Sequence, residues 1–235
     1  MTTKKTVAGC VTCLVRGRQS LCDLSADALP DVTTYPKQAR LFNEGEQPHG
    51  VFVLCTGRAK LVTSSEQGRN IITRISPPGD VLGLSAVISN RPYEVSAEMM
   101  EPGQVKFISR DSLMRLMRSD NEVALGIADA LSGLYYSAHE AVRSLGLATH
   151  PTERLAGLLL SWSKQSHRDE DNANSGLVEL NLTHEEIGET IGATRETVSR
   201  LFSEFRKRQI LQVNRSAVSI RNRSTLEEIA GQRPE

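Results

Sequence analysis

Apolar positions along this chain fall into three patterns, each with its own period. From about Tyr35 to Ser109 they come as short runs broken by glycine and proline. VFVL at Val51–Leu54, KLV at Lys60–Val62, IITRI at Ile71–Ile75 and QVKFI at Gln104–Ile108 are the clearest. Apolar runs of that length, bounded by turn residues, predict strands. Gly45, Gly57, Gly68 and Gly79 recur every eleven or twelve residues, a spacing that suits a small barrel or jelly roll. EQGRN and PPGD mark turns between strands, and a short helix is expected at about Asp111–Arg118.

The second pattern steps alternately by three and four through Ala124, Ile127, Leu131, Leu134, Ala138, Ala141, Leu145 and Ala148. So long a seam predicts one continuous helix paired with a second copy in a two-stranded coiled coil. A long helix packed on its own barrel satisfies the same periodicity. His150-Pro151 ends this helix and Thr152 opens another, TERLAGLLLSW. HRDEDNANSG, from His167 to Gly176, reads as a polar surface loop.

The third pattern, Leu182 to Leu211, predicts two short helices around a tight turn. Thr183 with Glu186 three residues later is a capping box and sets the first helix start. Ile187 and Ile191 share one face, and Gly192 stands where a left-handed stop is expected. Thr194 caps a second helix whose Val198, Leu201 and Phe205 point inward. Arg195, Glu196, Ser199 and Arg200 are left facing outward near its start, the part of a recognition helix that enters the major groove. Arg can donate two hydrogen bonds to guanine, and Glu can accept from cytosine N4. From Thr194 to Arg223 there are eight Arg or Lys against two Glu. That local excess is the footprint of a nucleic-acid surface. A solvated amphipathic helix pair is the plainer reading of the spacing.

Composition narrows the class. The 235 residues suffice for two domains, and 28 basic residues balance 28 acidic ones. Hydrophobic content is that of an ordinary globular chain. MTTKKTVAGCVTC lacks the apolar run of a signal peptide. No segment approaches the roughly 20 apolar residues of a membrane span, so a cytoplasmic protein without a membrane partner is expected. There is no phosphate-binding glycine loop, nucleophile elbow or carboxylate pair of the kind enzymes use. The five histidines show no metal spacing, and an enzyme is not expected.

Four cysteines carry the remaining chemistry. Cys10 and Cys13 form a Cys-x-x-Cys pair, Cys22 follows, and Cys55 lies in or beside a strand. Three clustered thiolates and one distant one suit an iron–sulfur cluster, and also a zinc site. Thiol–disulfide sensing is a further use. Cysteines without any ligand role, Cys55 being an ordinary buried residue, complete the alternatives.

A glycine-spaced barrel, a long helix and a helix-turn-helix, in that order, resemble the CRP/FNR superfamily of bacterial transcription regulators. The most specific pieces are EIGETIGATRETVSRLF and SEQGRNIITRISPPGDVLG. The resemblance implies an α+β fold: a cysteine-bearing segment over 1–30, a β-roll (jelly-roll) sensor domain over 31–120, a dimerisation helix over 121–149 and a winged helix-turn-helix over 150–235. It assigns DNA contacts to Thr183, Thr194, Arg195, Glu196, Thr197, Ser199 and Arg200. The implied partners are a second copy, a palindromic double-stranded operator and RNA polymerase.

Members that bind cyclic AMP carry a Gly-Glu pair for the ribose and an Arg-Ser pair for the phosphate. Here Gly83 is followed by Leu84, and Glu94-Val95 stand near the Arg-Ser position, with Arg91 nearby. A carboxylate and an apolar side chain cannot replace a bidentate phosphate donor, so a cyclic nucleotide is not expected. The cysteines instead resemble the FNR type, whose 4Fe–4S cluster would here fall to Cys10, Cys13, Cys22 and Cys55. The gap from Cys13 to Cys22 is longer than in that type, and its usual fourth position aligns with Lys106. The expected function is a homodimeric, redox- or oxygen-responsive regulator. A regulator sensing a small molecule or haem-bound gas in the barrel, a thiol or zinc switch, and an iron–sulfur electron carrier or metalloenzyme are the rivals. The outward Arg195, Glu196 and Arg200 set the last apart, because electron transfer does not use them.

Overall fold

The computed structural model describes residues 32–147, 150–166, 177–179, 182–214 and 217–231. Cys10, Cys13, Cys22, the end of the seam at Ala148 and the expected loop from His167 to Gly176 lie outside the described residues. The chain divides into two compact units, Met1–Ser137 and Ala138–Glu235.

The first unit runs β1 (Thr33–Tyr35), β2 (Arg40–Phe42), β3 (Gly50–Leu54), β4 (Ala59–Ser64), β5 (Asn70–Ser76), β6 (Val81–Leu82), α1 (Leu84–Ser89), β7 (Ser96–Met99) and β8 (Gly103–Ser109). Two four-stranded sheets form, in the orders β1-β8-β3-β6 and β2-β7-β4-β5. Each apolar run from the sequence lies in a strand: β3, β4, β5 or β8. The recurring glycines close the turns, with φ of 84° at Gly45, 79° at Gly57, 75° at Gly68 and 95° at Gly79, a region other residues seldom enter. One apolar cluster joins the sheets, Val51, Val53 and Ile108 from one and Phe42, Ala97 and Met99 from the other. Tyr93 enters it with its ring stacked on Phe42, centroids 4.0 Å apart. Its hydroxyl donates to the Gly50 carbonyl at 2.6 Å, which satisfies the one polar atom it buries.

α2 (Arg110–Ser119) and α3 (Asn121–Leu147) follow. Ser109 caps α2 by accepting from the Ser112 N–H, and the Asp120 carboxylate accepts from the Glu122 N–H at the start of α3. The first half of the α3 seam packs in part on its own unit. Val123 and Ile127 are buried in the core of the unit, and Ala130, Leu131 and Leu134 pack against it. The alternation of three and four identifies a face of a helix, but several surfaces can cover that face. A different stripe, Leu125, Ala128, Ser132, Tyr135, His139 and Val142, has the same spacing and is exposed. Leu125 is 57% exposed, Tyr135 65% and Val142 68%.

The second unit contains α4 (Pro151–Ser166), β9 (Leu177–Glu179), α5 (His184–Ile191), α6 (Arg195–Lys207), β10 (Leu211–Asn214), β11 (Ala217–Ile220) and α7 (Arg223–Ile229). The strands form an antiparallel sheet in the order β10-β11-β9. Leu155 and Leu159 of α4, Ile187 of α5, Val198 and Phe205 of α6, Val218 of β11 and Leu226 of α7 make its core. The described strand pairs are all antiparallel and helices accompany them in both units, the α+β arrangement expected. No described helix is long and apolar enough to cross a membrane.

Candidate nucleic-acid interface

Local chemistry sets both helices of the α5–α6 pair. The Thr183 hydroxyl accepts from the Glu186 N–H at 3.2 Å, and the Glu186 carboxylate accepts from the Thr183 N–H at 2.9 Å, closing the capping box. Gly192 ends α5 in the left-handed conformation at φ 63°. The Ala193 N–H donates back to the Gly188 carbonyl at 2.8 Å. Gly188 has no room for a side chain, since a Cβ would lie 2.6 Å from the Ala193 carbonyl oxygen. Arg154 of α4 donates from Nε to the Ile191 carbonyl at 2.7 Å, tying the last turn of α5 to its support. Thr194 caps α6 by accepting from the Thr197 N–H at 3.3 Å, and its hydroxyl lies 3.1 Å from that of Thr197.

Burial of Val198, Leu201, Phe202 and Phe205 fixes the rotation of α6. Thr183, Thr194, Arg195, Glu196 and Arg200 are exposed, whereas Thr197 and Ser199 are partly covered. The Glu196 backbone N–H and the Thr194 hydroxyl hold the Glu196 carboxyl below its ordinary pKa, with a smaller contribution from Arg195. Glu196 is therefore an acceptor at neutral pH, the partner cytosine N4 needs. Arg206, Lys207 and Arg208 are exposed at the other end of α6. Ser199 is not a bare outward hydroxyl: its Oγ lies 2.8 Å from Nδ1 of His184, the first residue of α5. His184 was not among the sequence candidates, because fifteen residues separate the pair and no spacing rule links them.

Candidate sensor residues lie in the first unit. Cys55 follows β3, is 7% exposed and belongs to the hydrophobic cluster. Its thiol donates to the Val53 carbonyl at 3.7 Å. Leu84, where cyclic-AMP binders carry an acid, is buried at the start of α1. Glu94 accepts a hydrogen bond from the Ser85 hydroxyl at 2.8 Å. Arg74, Asp80, Asp129, Ser132 and Tyr136 are among the residues lining an open cleft of about 500 Å³ between the β5–β6 region and α3. Arg74 and Asp80 are ion-paired there at 2.6 Å.

Comparison with known proteins agrees with this division. Residues 32–120 match the cyclic nucleotide-binding domain, and residues 153–229 match the Crp-like helix-turn-helix domain. The fumarate and nitrate reduction regulatory protein of Yersinia pestis is 30% identical over 196 residues, 83% of this chain and 76% of that protein. The anaerobic regulatory protein of Aggregatibacter actinomycetemcomitans is 29% identical over 195 residues, 83% of this chain and 74% of that one. Among solved structures, FixK2 from Bradyrhizobium japonicum superposes with a TM-score of 0.74 at 26% identity, covering 87% of this chain and 98% of its own.

Proposed function

From the premise that this chain belongs to the CRP/FNR superfamily and is a DNA-binding transcription regulator, not an enzyme, we propose a homodimer that reads a palindromic operator and responds to oxygen or redox state. The observation that carries the DNA half is the exposed Arg195, Glu196 and Arg200 at the start of a capped helix whose other face is buried. Arg195 and Arg200 each contact guanine, and Glu196 selects a G·C pair. Changing Arg200 to Ala costs about 1–3 kcal/mol and relaxes one base position. Selection from random DNA is the check, and one shared sequence preference for wild type, Arg200→Ala and Glu196→Ala overturns the assignment.

Two supports favour the redox half: the cysteine set, and relatives named for anaerobic and for fumarate and nitrate reduction regulation. Cys10, Cys13 and Cys22 supply the soft thiolates that iron–sulfur clusters take. Cys55 is the fourth candidate and would have to give up its hydrogen bond to Val53. A 4Fe–4S cluster held by these thiolates would supply an iron–sulfide centre open to oxidation by oxygen. Protein purified without oxygen is then brown, bleaches in air, releases iron and binds DNA more weakly. Serine at position 10, 13 or 22 abolishes the colour. A Cys55→Ser protein with full iron and sulfide moves the fourth ligand elsewhere, and a colourless wild type after anaerobic reconstitution overturns the cluster.

The second copy pairs on the exposed stripe of α3 containing Leu125, Tyr135 and Val142. RNA polymerase is the further partner, and the cytoplasm, where the operator is, the place of action. We read the sensor domain as having no cyclic-nucleotide site, given Leu84 at the ribose position and Glu94-Val95 near the phosphate position. The cleft at Arg74, Asp80 and Asp129 favours a second reading, a small-molecule effector. A pocket of that volume suits such a ligand, and a colourless protein stabilised by a metabolite would select it.

A further inference from the structure

The imidazole of His184 lies flat against Phe202, with ring centroids 5.1 Å apart and planes 6° from parallel. Phe202 is buried, which fixes the ring in place. Nδ1 of that ring lies 2.8 Å from Ser199 Oγ. Ser203, one turn further along α6, shows what a helical serine does by default. Its hydroxyl donates back to the Ser199 carbonyl at 3.0 Å. Ser199 instead reaches across to α5, on the stretch of α6 between Glu196 and Arg200.

We propose that His184 is a specificity-determining residue that fixes the hydrogen-bond polarity of the Ser199 hydroxyl, and with it the base group Ser199 reads. The inference rests on α6 being the base-reading helix. A serine hydroxyl has one proton and two lone pairs, and a neutral imidazole has one donor and one acceptor nitrogen. The Nε2–H form is the intrinsically more stable tautomer, and in it Nδ1 accepts. Ser199 then commits its only proton to His184 and turns lone pairs outward. It accepts from an amino group, cytosine N4 or adenine N6, and cannot donate to guanine O6, guanine N7 or thymine O4. A serine without this clamp rotates and serves either kind of base edge. His184 acts through Ser199 as a positioning residue and need not touch a base.

The test is selection from random DNA with wild type, Ser199→Ala, His184→Phe, His184→Asn and the Ser199→Ala/His184→Phe double variant. Phenylalanine keeps the ring on Phe202 and removes the nitrogen, while asparagine retains an acceptor oxygen near the position of Nδ1. Wild type favours an amino-bearing base at one position by roughly 3- to 10-fold, the range one net hydrogen bond gives. Ser199→Ala and His184→Phe each lose that preference, the double variant loses no more, and His184→Asn restores it. Wild-type preference in His184→Phe or in Ser199→Ala overturns the proposal, as do additive losses, which mark independent sites. If the phenylalanine variant fails to fold, His184→Ala carries the same comparison. Arg200→Ala separates the two levels. If it relaxes its own position while His184→Phe changes nothing, only the clamp fails. If it too leaves the preference unchanged, the reading of α6 itself fails.

Discussion

At Gly188 two physical effects of an added methyl group have opposite signs. Alanine in a helix interior is favoured over glycine by about 0.8–1.0 kcal/mol. Here its Cβ would meet the Ala193 carbonyl at 2.6 Å, and a backbone atom cannot swing away as a side-chain tip can. Overpacking of this kind costs about 1–3 kcal/mol. Gly188→Ala should therefore lower the melting temperature of the protein and weaken operator binding, as thermal denaturation and a binding titration will show. A stabilised variant would mean that the turn yields easily. Asp80 carries the other residue-scale expectation. Burial raises its pKa, and the adjacent Arg74 only partly offsets this. Folding thus favours the protonated carboxyl. That contribution is complete below the unfolded-state pKa and is lost as pH rises through the elevated folded value. A carbon-detected NMR titration should place Asp80 above the ordinary aspartate range, and Asp80→Asn should remove that part of the pH dependence of stability. A carboxyl titrating at or below the ordinary value would show that Arg74 dominates.

On the scale of elements, α3 is where one periodicity suits two surfaces. Ile127, Leu131 and Leu134 are apolar at the right steps because they cover the core of the first unit. The exposed stripe with Leu125, Tyr135 and Val142 mixes in Ser132 and His139, so its pattern is weaker in the sequence. The two faces predict opposite phenotypes. Tyr135→Glu should leave the first unit folded and give monomers in sedimentation, with loss of specific DNA affinity. Leu131→Glu should bring a charge against the core of its own unit and cost at least about 2 kcal/mol of stability. Folded monomers from Leu131→Glu, with dimers from Tyr135→Glu, would reverse the assignment. The short strands were harder to read than the helices for a related reason. β1, β2, β6 and β7 span two to four residues, too few for any alternation to register, and α1 begins with Leu84 directly after a glycine.

For the whole molecule, local signals fixed a great deal before any tertiary contact was known. The capping box, glycines at positive φ and strand runs act through neighbouring residues, so the order of sheet-rich unit, long helix and helix-turn-helix was legible along the chain. So was the outward placement of Arg195, Glu196 and Arg200, because once Val198, Leu201 and Phe205 are buried, helical geometry sends those side chains outward. What the sequence left open depends on contacts between residues far apart. Which face of α3 meets the core of the first unit was decided by how Val123 and Ile127 pack against the sheets. The arrangement of Arg74, Asp80 and Asp129 around one cleft arose from strands and a helix more than forty residues apart. Ser199 was marked as a DNA contact by its position, but its engagement with His184 exists only because packing on Phe202 brings the start of α5 to the side of α6. Periodicity carries the direction of a side chain from its own helix or strand, whereas the identity of its neighbour is set by the packing of distant segments, which no local period encodes.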